Sequence, residues 1–110
     1  MRAEPYALTK AVLSQGATTA DIVGAITGRK IVVWRIMFTT DAAQDIDFLS
    51  AATSLMACDS VTQFYMPYDG HPIIETVAGE ALRLTSASQC KTTVWYTSGE
   101  ISYTSAASKV

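Results

Sequence analysis

The sequence predicts an all-β protein, an antiparallel sandwich or closed barrel. Three observations carry that reading. Segments between turn signals are short throughout. The clearest of them, Ile31 to Thr40, alternates with period two: Val32, Trp34, Ile36 and Phe38 on one face, Arg35, Met37 and Thr39 on the other. With 110 residues and 11.8 kDa, the chain has room for one small hydrophobic core.

Taken from the N-terminus, residues 1–17 have weak periodicity and are expected as an extended arm, with a short helix as the alternative. Asp21 to Ile26 follows, with Ile22, Gly24 and Ile26 alternating against Val23 and Ala25. Thr27-Gly28-Arg29-Lys30 then leads into the Ile31 strand, and two β-branched runs around a Gly-containing connection read as a hairpin. The stretch from Asp41 to Ala57 admits two readings. Asp41-Ala42-Ala43-Gln44 resembles a capping box, with Ile46, Leu49, Thr53 and Met56 at helical spacing. The same residues also read as two strands around a Ser50-Ala51-Ala52 turn.

Further on, Pro72 to Thr76 is a short apolar run closed by the turn Val77-Ala78-Gly79-Glu80. Ala81 to Thr85 places Leu82 and Leu84 inward. Lys91 to Thr97 places Val94 and Tyr96 on one face and Trp95 on the other. The sandwich domain is therefore expected over residues 18–104, with a loose tail over 105–110. Its single interior is expected to combine Val32, Trp34, Ile36, Phe38, Ile46, Phe48, Leu82, Leu84, Val94 and Tyr96.

Composition narrows the function classes. Eight basic and ten acidic residues give a net charge of −2, which offers no basic surplus for nucleic acid. Charged residues make up 16% of the chain, against roughly 25% in ordinary soluble domains. Ser, Thr and Ala, at 10, 14 and 16 residues, fill the gap. A small domain so poor in charge is expected to hide surface against a partner. No apolar run reaches the ~20 residues of a membrane span, and the N-terminus has no signal-peptide core, so no membrane partner is expected.

Chemical signatures are sparse. Cys58, Cys90 and the lone His71 fall short of four zinc ligands, and the two cysteines are expected as semi-buried thiols, a disulfide being the alternative. His71 lies in Tyr68-Asp69-Gly70-His71-Pro72, which is turn chemistry rather than a general base with its partners. Asp45 and Asp47 share one side of a strand, and Glu75 and Glu80 flank a turn. Both pairs are expected to be solvated or to cap backbone, not to hold a cation or to cleave a glycoside. No catalytic residue, metal or cofactor is expected. The candidate contact residues are apolar: Tyr6, Leu8, Val12 and Leu13 in the arm, and Phe64, Tyr65, Met66 and Tyr68 in the stretch Gln63 to Tyr68.

Two stretches carry a resemblance. Gly28-Arg29-Lys30-Ile31-Val32-Val33 through Thr39 is followed by Asp45-Ile46-Asp47-Phe48-Leu49-Ser50. Later comes Glu75-Thr76-Val77-Ala78-Gly79-Glu80-Ala81-Leu82-Arg83-Leu84, ending in Val94-Trp95-Tyr96. Together they resemble small structural proteins encoded beside the major capsid protein in tailed bacteriophages, which share a "G-K/R-K-I-x-V" strand, an "F-x-S" strand and an "E-T-x-x-G-E-x-L-x-L" strand pair. The likeness covers Asp21 to Thr97 and departs in the loop Ala57 to Pro72, where such chains are Gly- and Ala-rich. It implies strands over Gln44 to Ser50 and Thr53 to Ala57, hence about eight antiparallel strands in a jelly-roll-like sandwich. The role it implies is a capsid decoration (cement) protein, a homotrimer on the outer surface of the virion that binds the major capsid protein and secures neighbouring capsomers. A head-fibre base or a receptor- or glycan-binding module of the virion is the alternative, and a bacterial carbohydrate-binding or enzyme-accessory domain a second one.

Overall fold

The computed structural model describes residues 8–100. They form seven antiparallel strands and no helix: β1 (Thr9–Gln15), β2 (Thr18–Val23), β3 (Arg29–Ser50), β4 (Thr53–Met66), β5 (Ile74–Glu75), β6 (Leu82–Ser86) and β7 (Cys90–Glu100). One curled sheet takes the order β1-β7-β3-β6-β2, with β4 and β5 also paired to β3. The expected all-β, antiparallel, sandwich-like class is the one observed, and the helical alternative for Asp41 to Ala57 is not.

The architecture follows from β3, which at 22 residues is far longer than the usual five or six. Its first half, Arg29 to Thr40, pairs with β7, and its second, Ile46 to Ser50, pairs with β6. β4 runs along the opposite edge of both halves. Between Thr39 and Gln44 the register with β4 slips, and the Thr40 hydroxyl donates to the Ala42 carbonyl at 2.8 Å. There β3 turns over and lays its two halves against each other. The interior so enclosed holds Ile31, Val33, Ile36, Phe38, Ile46, Phe48, Ile74, Leu82, Leu84, Cys90 and Val94, with Val23 closing one side.

Three chain segments cross from one half to the other at the same end: β1 to β2, the β3 bend, and β6 to β7. Crossing segments leave backbone groups with no ladder partner, and two buried glutamines satisfy them. Gln44 Nε2 donates to Ser88 Oγ at 2.9 Å and to the Gln89 carbonyl at 3.2 Å, while its Oε1 accepts the Ala87 and Ser88 amides at 2.8 and 3.0 Å. Gln15 Nε2 donates to Ser86 Oγ at 2.8 Å and to the Thr18 carbonyl at 3.1 Å.

Four expectations need correction. Thr9–Gln15 is no free arm: it is an edge strand in register with β7, Gln15 opposite Cys90 and Thr9 opposite Tyr96. Its outward positions are Lys10, Val12 and Ser14, so the polar-apolar pattern is blurred rather than absent. The hairpin expected between Asp21 and Thr40 does not form either. β2 pairs with β6, although the Arg29 amide does bond to the Ile26 carbonyl in a turn where Gly28 has φ 73°. Two of the expected short strands are halves of β3 while the expected arm supplies β1, so seven strands stand where about eight were expected. The fourth correction concerns facing. A bulge leaves Trp34 unpaired between Val33 and Arg35, which reverses the alternation. Ile31 and Val33 therefore enter the core, while Val32 and Trp34 are buried on the other face of the sheet, and Tyr96 is only partly buried against the core. Tyr6 and the tail over 105–110 lie outside the described residues.

Candidate functional site

The titratable residues do structural work. Asp45 accepts the amide of Ser60, a residue with φ 52°, and Asp47 accepts the Ser54 hydroxyl at 2.6 Å. Each carboxylate thus steadies the β3–β4 hairpin. Asp69 accepts the His71 amide at 3.1 Å, which makes the expected turn. Glu75 pairs with Lys30 at 3.4 Å on the surface. Glu80 instead accepts the hydroxyl of Ser50, whose oxygen in turn accepts the Val77 amide. Glu75 and Glu80 therefore serve different partners and do not form a facing pair. No group of three or more metal-ligating side chains occurs among the described residues.

The two motifs of the sequence meet at Ser50 and Glu80. Thr76 Oγ1 accepts the Ile31 amide at 2.9 Å and the Thr76 amide donates to the Ile31 carbonyl at 3.0 Å. The Gly79 amide donates to the Arg29 carbonyl, with Gly79 at φ 83° where a side chain would be strained. The Glu75–Glu80 segment is thus a clasp on both ends of β3. These motif residues hold the two halves of β3 to the segment between β5 and β6.

Cys58 and Cys90 are free thiols packed against the core, as the first of the two expectations had it. Burial pushes both above the ordinary thiol pKa. At Cys58, Asp59 and Asp47 add to the effect, and at Cys90 the hydrogen bond with Thr92 opposes it. Such thiols are poor nucleophiles.

The expected contact residues divide by strand face. Phe64 is stacked on Phe38 at 5.3 Å between ring centroids and belongs to the core, as the partly buried Leu13 does. Tyr68 lies 5.8 Å from the ring of Trp34, whose Nε1 donates to Thr97 Oγ1, so the loop after β4 folds down over this end of the sheet. Met66 and Leu8 are half-buried. Val12 and Tyr65 remain, 52% and 56% exposed.

Those two stand in one row. Across the sheet, Val12 of β1 faces Thr93 of β7, Thr93 faces Met37 of β3, and Met37 faces Tyr65 of β4. Paired residues project to the same side, so the row crosses four strands on the outer face. Val12, Met37 and Tyr65 are three of the four large hydrophobic residues exposed among the described residues, the other being Val77. A shallow depression lined by Val12, Met37, Thr39, Lys91 and Thr93 lies along it. Beside it, the Arg35 guanidinium sits 5.5 Å over the Trp95 ring. Met37 escaped sequence reasoning, which placed it on the polar face without asking what stood opposite.

Fold and face together define an antiparallel β-sandwich module with an apolar outer stripe. No protein-family model matches the chain, and no curated protein matches it.

Proposed function

We propose that the protein is a capsid decoration (cement) protein, which docks on the outside of an assembled phage head and stabilises contacts between capsomers. It acts there as a homotrimer, without cofactor and without catalysis, and its partner is the major capsid protein. The observation that carries the reading is the exposed row Val12, Met37 and Tyr65 on the outer face, since an apolar stripe in a charge-poor domain suits a subunit held between neighbours. The motif resemblance supports the same role, because its residues form the clasp that holds the sandwich. Electrophoresis of purified virions tests it. The chain should appear near-stoichiometric with the capsid protein. A band one order of magnitude fainter would assign it to a fibre or adhesin, and no band would remove it from the particle.

A further inference from the structure

We infer that the β1-β7-β3-β4 outer face meets the partner, and that the partner's contacting surface is protein with an apolar centre ringed by carboxylates. This rests on the docking role proposed above and assigns its orientation.

Charge distinguishes the two outer faces of the sandwich. Three successive cross-strand rows on the first face are Lys10–Trp95–Arg35, Val12–Thr93–Met37–Tyr65 and Ser14–Lys91–Thr39–Gln63. They contain the exposed Lys10 and Lys91, with Arg35 over the Trp95 ring. The first carboxylate, Asp41, comes in the row beyond, where its amide donates to the Gln89 carbonyl. Farther along, Glu75 is paired with Lys30. The opposite outer face carries Asp21, Asp45 and Asp47, and its cation Arg83 is bound to Asp21 at 3.0 Å. A chain of net charge −2 therefore gathers positive charge around its exposed apolar row.

The arrangement selects an occupant. Two copies joined symmetrically through this face would bring like charges together around the apolar centre, which opposes self-pairing. A polyanion would meet only three cations and leave Val12 and Met37 without apolar contact. A protein surface with apolar side chains at its centre and Asp or Glu at its rim satisfies both features. The loop bearing Tyr68 already covers the adjoining part of the face over Trp34, so the chain buries one end of the stripe itself and leaves the other open.

The probe is a phage shell assembled from major capsid protein alone and lacking this chain. Wild type and Val77→Asp, an apolar-to-acid change away from the face, should co-sediment with shells. Met37→Asp and Tyr65→Ser should each bind about tenfold or more weakly, and Lys10→Glu with Lys91→Glu should slow capture. Tyr65 is exposed on an edge strand, so Tyr65→Ser keeps the test open should Met37→Asp unfold. Wild-type binding by all the face variants overturns the orientation and leaves the docking role intact. Failure of wild type to bind overturns both. An oligomer that Met37→Asp dissociates in sedimentation makes the occupant a second copy, and retention of oligothymidine that Lys10→Glu/Lys91→Glu abolishes makes it a polyanion. Either result overturns the partner assigned here.

Discussion

Phe38 and Phe48 lie ten positions apart on the same strand, yet their ring centroids are 6.0 Å apart. A straight strand would hold them about 33 Å apart. The contact exists because β3 doubles over at Thr40–Gln44, and it joins the two halves of the sandwich through the middle of the core. Phe64 stacks on Phe38 from β4, so three aromatic rings tie both limbs of the long hairpin.

Phe48→Ala should therefore destabilise by about 3–5 kcal/mol, as truncation of a buried Phe does. Phe38→Ala should cost a similar amount. A double-mutant cycle with Phe38→Leu and Phe48→Leu, read by urea denaturation, should report coupling of about 0.5–1.5 kcal/mol beyond area burial. Additive effects would place the two rings in independent environments.

Gln44 should be as sensitive as a core residue despite its polarity. Gln44→Leu keeps the volume and removes the partners of the Ala87 and Ser88 amides. Each donor left unsatisfied costs about 1–3 kcal/mol. A midpoint shift in urea with unchanged slope is the expected signature. Gln44→Glu should recover part of the loss, because a carboxylate still accepts both amides.

Removal of residues 1–15 should cost the fold and not merely a binding arm. β1 covers β7 along seven register pairs, and Leu13 packs on the core. The truncated protein should melt well below the full chain by circular dichroism, and β7 would be left as an exposed sheet edge prone to aggregation. An unchanged melting curve would show that β1 adds nothing to the sandwich.

Alkaline pH should weaken the protein through its thiols. Burial raises the pKa of Cys58 and Cys90 in the folded state, so the unfolded chain loses those protons first. Stability is then fully present below the ordinary thiol pKa of about 9 and falls as pH rises through the folded values. Melting temperatures at neutral and strongly alkaline pH should differ less in a Cys58→Ala/Cys90→Ala variant than in wild type. Equal differences would show that the thiols do not contribute.

Salt should separate association from release. Raising NaCl from about 0.1 to 1 M screens Lys10, Arg35 and Lys91 over all but a few ångströms and should slow capture by shells. Protein already bound should stay, since apolar burial is not weakened by ordinary salt, whereas mild urea should release it. Release by NaCl alone would make the interface electrostatic.

How much of this was legible in the residues differs by level. Fold class and most core residues follow from local alternation: Ile36, Phe38, Ile46, Phe48, Leu82, Leu84 and Val94 are buried where period two puts them. The reversal at Trp34 could not be read, because a bulge costs one residue of register and leaves both faces apolar. Partner choice was equally hidden. β2 and β3 are separated by a good turn, yet β2 finds a better partner in β6, where Thr19 meets Thr85 and Asp21 meets Arg83. The outer row was half visible, in Val12 and Tyr65. Met37 and Thr93 join it only once strand order is known.

The strand order also bears on synthesis. β7 is the last strand among the described residues but lies between β1 and β3, so neither can form its ladder with β7 until residues near Glu100 have been made. A nascent chain must hold β1 unpaired while the β3–β4 hairpin forms from local contacts. During that interval Ile31, Ile36 and Leu13 lack their cover, a window in which a ribosome-bound chaperone has something to bind. Closure of the sandwich thus waits on β7, and a chain stalled before it leaves the core face of β3 without the cover of Cys90 and Val94.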